Sequence, residues 1–90
     1  MEVEVGRVLN YYSHLGVAAL SLVDSLKLGD RIHVFGHATD FSQRVTSMEI
    51  EHHNVLWVKP GENVAIKTNR PVHVHDIVYR VIEEEMETIT

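Results

Sequence analysis

Two imidazoles separated by a single residue stand out in this 90-residue sequence. Read as an extended segment, Val72-His73-Val74-His75 places His73 and His75 on one face, with Cα atoms about 7 Å apart. That spacing suits two ligands of a metal ion, and five more histidines are scattered along the chain. A complete site needs a third ligand, which His52-His53 supply only if the fold brings them close. The pattern therefore predicts no native metal site, and histidines that are solvated or packed in loops. Cysteine is absent, which excludes disulfides, a thiolate nucleophile and cysteine-ligated zinc. Ser13, Ser21, Ser25, Ser42 and Ser47 lie in no Gly-x-Ser-x-Gly elbow. Glu49 and Glu51 share a strand face that reads as solvated. Neither catalysis nor a cofactor is expected.

A second cluster suits binding rather than reaction. Tyr11 and Tyr12 end the first apolar segment beside Arg7, Asn10 and His14. Aromatic rings near basic groups on a β surface stack bases and steer phosphates. Trp57, the one tryptophan, follows Val55-Leu56 and reads either as a plug for one end of the core or as an exposed partner contact.

Ninety residues make one domain. Turn signals at Gly16, Gly29-Asp30, Gly36, Asn54, Pro60-Gly61 and Asn69-Arg70-Pro71 cut it into short apolar segments, the mark of a β-sandwich or barrel. The predicted strands are Val3 to Tyr12, Gly16 to Val23, Asp30 to Phe35, Phe41 to His52, Glu62 to Thr68 and Asp76 to Ile82. Phe41 to His52 carries Met48 and Ile50 in one phase and Val45 in the other, so a bulge is expected near Thr46. In the last strand Ile77, Tyr79 and Val81 form the apolar face, opposite Arg80. Ala18, Ala19, Leu22 and Leu26 also fit a helical stripe stopped by Gly29. A strand, a turn at Asp24-Ser25 and a second turn at Lys27-Leu28-Gly29-Asp30 fit their neighbours better.

The formal charge of −5 is concentrated at the ends, in Glu2 and Glu4 and in Glu83, Glu84, Glu85 and Glu87. Residues 5–82 hold eight basic and seven acidic side chains and are nearly neutral. The expected organisation is a β-barrel domain over 1–82 and a solvated acidic tail over 83–90. No apolar run reaches the ~18 residues of a membrane span. The N-terminal stretch has no signal-peptide pattern. A cytoplasmic location is expected.

Several stretches occur in the order seen in the second domain of elongation factor Tu and its translational GTPase relatives. They are Val5-Gly6-Arg7-Val8, Gly16-Val17-Ala18-Ala19, Leu26-Lys27-Leu28-Gly29-Asp30-Arg31-Ile32, Gly36-His37-Ala38-Thr39-Asp40-Phe41, Val45 to Ile50, Pro60 to Ile66, and Asp76-Ile77-Val78-Tyr79. The chain resembles short free-standing translation elongation factor-like proteins. It is also similar to the barrel appended to collagenase-like peptidases and tRNA-modifying enzymes, sharing the step Thr39 to Phe41. The resemblance implies an all-β fold, a six-stranded closed Greek-key-like barrel. It implies a non-catalytic module that binds RNA (tRNA or rRNA), because the second domain of elongation factor Tu holds the aminoacylated end of tRNA. The positions matching that pocket are Tyr12 and Asn63, and the expected RNA-contacting set is Arg7, Tyr11, Tyr12, Asn63, Lys67 and Arg70. The alternative is a protein–protein adaptor docking on a GTPase, the ribosome or an RNA-modifying enzyme. No Gly-x-x-x-x-Gly-Lys-Ser/Thr loop is present, so no nucleotide phosphates are cradled.

Overall fold

Between the turn signals, β-branched and aromatic residues alternate with polar ones, and this pattern settles into strands. The computed structural model describes residues 1–83 and contains no helix among them. Ten strands follow one another: β1 (Glu2–Tyr12), β2 (Val17–Leu22), β3 (Leu26–Lys27), β4 (Arg31–Gly36), β5 (Thr39–Arg44), β6 (Met48–Ile50), β7 (His53–Asn54), β8 (Trp57–Val58), β9 (Asn63–Lys67) and β10 (Ile77–Val81). Eight make an antiparallel sheet in the order β5-β4-β10-β1-β2-β9-β6-β7, and β3 pairs with β8 in a separate ribbon. One face carries the core, including Val5, Val8, Leu20, Ile32, Val34, Met48, Ile66 and Val78. Gly16 to Val23 is the strand β2 and not a helix: its alternate residues Ala18, Leu20 and Leu22 are buried, which is a strand's period of two.

The strand count differs from the six expected. Phe41 to His52 is not one strand, because Val45 turns into the core and bonds with the loop before β4. Its N–H donates to Asp30 O at 2.8 Å and its carbonyl accepts from Gly29 N at 2.9 Å. Residues 45–47 thus separate β5 from β6, in place of the bulge expected near Thr46. The register shifts lie in β1 instead, between Glu4 and Gly6 and between Val8 and Asn10. The turn expected at Lys27-Leu28-Gly29-Asp30 is present, closed by Asp30 N donating to Lys27 O at 3.1 Å, and Lys27 also pairs with Trp57 in the β3–β8 ribbon. The buried phase of β10 is that of Val78, so Ile77, Tyr79 and Val81 lie on its other, half-buried side.

The outer strands β5 and β7 are not paired with each other. A buried side chain instead links β5 to the end of β9. Gln43 on β5 donates from Nε2 to Lys67 O at 2.9 Å and accepts from Asn69 N at 2.6 Å. At the other end of β1, Ile82 N donates to Met1 O at 2.8 Å, which brings the start of β1 beside the end of β10. Of the expected acidic tail, residues 84–90 lie outside the described residues; Glu83 pairs with Arg44 at 2.6 Å.

Candidate functional site

Three rows of side chains cross the outer face of β1, β2, β9 and β6. Register places Tyr12, Val17 and Lys67 in one row and Asn10, Ala19, Ala65 and Glu49 in the next. Ser21 and Asn63 lie in the third row, with Arg7 across from Ser21 on β1. Ala19 and Ala65 stop at Cβ, so the surface is low over β2 and β9, between β1 and the β6–β7 hairpin. The result is a groove of about 880 Å³.

One wall is apolar. The β1 irregularity turns Leu9 outward, and Tyr12 and Leu15 continue the wall at 48% and 66% exposure. The other wall is the β6–β7 hairpin, with Glu49, Ile50, Glu51 and His52. Its two loop residues, Glu51 and His52, both have left-handed φ, 48° and 66°. Tight hairpins demand that conformation and usually fill it with Asn-Gly. Two bulkier residues are held there at a local cost, and both face the groove. Gly61, Glu62 and Asn63 form the third side. Glu49, Glu51 and Glu62 line the groove; among the described residues no lysine or arginine lines it, although Lys59 outside it lies 4.0 Å from Glu62.

Of the six expected contact residues, Tyr12 and Asn63 come together in this groove. Lys67 shares Tyr12's row and Arg7 is in register with Ser21 beside Asn63, both outside the lining. Tyr11 packs against the core instead, and Arg70 is exposed in the loop after β9. Leu9, Leu15, Ala19, Ala65 and Glu62 were not foreseen. The signal for the first two was the run Leu9-x-x-Tyr12-x-x-Leu15, which breaks strand alternation. The alanines gave none, because a small residue reads the same on either face.

The histidine pair does not share a strand face. His73 and His75 lie in the turn before β10, and His75 has φ 77°. His73 Nδ1 is 2.9 Å from Thr39 Oγ1, and the His73 backbone N–H donates to the buried Asp76 carboxylate at 2.8 Å. Asp76 in turn fits against Gly36, where an added Cβ would overlap its carboxylate. This cluster braces the turn on β1, since His75 N bonds Val8 O and Val8 N bonds Asp76 O, each at 2.9 Å. Among the described residues no group of three or more His, Cys, Asp or Glu is arranged to hold a metal ion. Trp57 does not plug the core: it is 57% exposed, and Val58 fills the interior beside it.

His33 has a raised proton affinity. Its Nδ1 lies 2.8 Å from Glu2 Oε1 and its Nε2 lies 2.6 Å from Asp40 Oδ1. These hydrogen bonds, Glu2 first and then Asp40, hold the imidazole above its usual 6.5, partly opposed by burial. With both nitrogens engaged, His33 serves as a clamp joining β1, β4 and β5 and not as a base. Because the folded value is raised, the clamp's contribution is complete below 6.5 and is lost as pH rises through the folded value. Urea unfolding at successive pH values above 6.5 should show stability declining, and His33→Gln should flatten that slope. Parallel slopes for the two proteins would show that the clamp adds nothing.

No family model matches this chain. It is 40% identical over 83 residues to an uncharacterized protease of Methanocaldococcus jannaschii, a match covering 91% of this chain and 20% of the relative. The chain thus spans about one fifth of that protein's length. Two crystal structures of the C-terminal domain of a Geobacillus thermoleovorans protein assigned as a U32 peptidase are similar in fold. One superposes with a TM-score of 0.83 at 22% identity, over 88% of this chain and 92% of that one. Its selenomethionine form gives 0.82 at 22% identity, over 87% and 99%. This chain therefore has the all-β fold of the C-terminal domain of a U32 peptidase-like protein, and in sequence it resembles a segment of a longer protease.

Proposed function

We propose that this domain is a non-catalytic docking module that seats a short extended stretch of a partner polypeptide between Tyr12 and Asn63, as an accessory to a U32-type peptidase. The carrying observation is the groove itself, with its alanine floor, its apolar wall, Glu49 and Glu51 on the facing wall and Glu62 on the third side. Floor and rim extend over two strand repeats, about 13 Å, which matches roughly four residues of extended chain. An apolar side chain fits against Leu9, Tyr12 and Leu15, and a neighbouring Lys or Arg answers Glu49, Glu51 or Glu62. Burying a few such side chains in a groove of this size is a common basis for specific recognition. The lack of cysteine suits a reducing, cytoplasmic setting.

RNA is the second reading, favoured by Lys67 on Tyr12's row and by Arg7 and Asn63 on either side of Ser21. It also carries the closed-barrel kinship with translation factors. The rim opposes it, because phosphate binding draws its affinity from Lys and Arg.

Fluorescent ten-residue peptides of apolar–cationic, apolar–neutral and apolar–acidic composition, and a single-stranded RNA ten-mer, separate the readings in one titration series. The cationic peptides should bind best, and Tyr12→Ala should weaken them about tenfold or more, as loss of a buried aromatic anchor does. RNA binding that falls steeply with salt, with no peptide binding, would replace the polypeptide reading by the RNA one.

A further inference from the structure

A second exposed apolar surface lies away from the groove, on the β3–β8 ribbon. Leu26 and Val58 pair with each other and point into the core, which turns their neighbours along the chain, Lys27 and Trp57, outward. Leu56 is 74% exposed, and Leu28 and Ile82 are also exposed. Trp57, Lys27, Arg80 and Ile82 line one hollow of about 420 Å³. The Arg80 guanidinium is committed, donating to Ser25 O and lying 3.6 Å from Asp24. Lys27 forms no ion pair among the described residues.

The position of this surface indicates what covers it. Ile82 lines the hollow and bonds to Met1, so the start of β1 and the end of β10 lie together beside Trp57. The groove wall begins at Leu9, seven residues along β1 from Glu2, or about 23 Å. In the Methanocaldococcus relative, four fifths of the protein lies outside the matched segment. Chain running on from either end of such a segment leaves at the Trp57 end. The rest of that protein is thereby tethered beside this surface and away from the groove. The geometry points to the Trp57 surface as the docking face for the body of a U32-type peptidase, through an apolar patch carrying a carboxylate that meets Lys27. Exposed tryptophan is enriched among residues that dominate interfaces, and tethering raises the local concentration of the partner. The inference rests on the accessory-domain reading but not on what the groove binds.

The test replaces the matched segment of the Methanocaldococcus protein with this chain and compares amide exchange with that of the isolated chain. Residues 26–28 and 56–58 should exchange about tenfold more slowly in the chimaera, with 9–15 unchanged. Trp57→Ala, or Leu56→Ser if the first variant unfolds, should remove that protection. If the chimaera itself does not fold, the isolated chain labelled with 5-fluorotryptophan is mixed with the relative lacking the segment. The single fluorine resonance of Trp57 should then shift or broaden. Unchanged exchange at the Trp57 end, protection at 9–15 instead, or an unmoved resonance would overturn the assignment. Peptide binding in the groove should survive Trp57→Ala, so failure of one reading is distinguishable from failure of the other.

Discussion

Gly6→Ala should destabilise the domain by about 3 kcal/mol, a large share of the roughly 5–10 kcal/mol that holds a domain of this size together. Gly6 is buried in β1 beside a register shift, paired with Leu22 on one side and Val78 on the other. A methyl group there would overlap the Ser21 carbonyl oxygen and approach Leu22 Cδ2 to 3.0 Å. The first obstacle is backbone and belongs to the ladder of the neighbouring strand, so relief requires β1 and β2 to part. Those two strands are the middle of the eight-stranded sheet. Gly29→Ala is the control: nothing lies within 4 Å of its added methyl, and only its φ of 89° is unfavourable. That conformation costs an alanine about 1 kcal/mol. Urea midpoints for the two variants should therefore differ clearly. Equal midpoints would mean that the β1–β2 contact at Gly6 is not as close as described.

Ala65→Phe should abolish ligand binding, by about a hundredfold or more, while leaving the fold intact. Ala65 stands in the middle of the groove floor, between Ala19 and Glu49. Its side chain points away from the core residues Val64 and Ile66 on either side of it. A phenyl group there fills the trough between Tyr12 and the β6–β7 hairpin. Aromatic residues are well accepted in strands, so stability should change by less than about 1 kcal/mol. Ala65→Ser, which keeps the floor low, should bind like the parent. The peptides that bind the parent, titrated against all three proteins alongside thermal melts, decide the matter. A Phe variant that is folded and still binds would place the ligand elsewhere.

Much of the fold was legible in the residues. Alternation in Asp30 to Phe35 and in Glu62 to Thr68 located β4 and β9 and their buried pairs, Ile32 with Val34 and Val64 with Ile66. Periodicity works there because one face is dry and the other wet. It misled where a residue's burial came from a loop. Val45 is apolar because it folds under the Gly29-Asp30 turn, and a linear pattern reads that as a strand with a flaw. The candidate site was legible only in part. Tyr12 and Asn63 were named, but nothing in their 51-residue separation shows that both border one trough.

Composition and local pattern determined that this chain is an antiparallel β domain without cysteine chemistry, because the turn residues and the period of two are properties of short segments. They also determined which residues are apolar enough to form the core. The tertiary structure alone decided the rest: that two alanines from different strands lie side by side and leave a groove, that three glutamates rim it, and that Trp57 faces outward beside Lys27. These are matters of register and pairing between segments far apart in the chain. A shift of one residue in either strand would turn the same side chains to the opposite face.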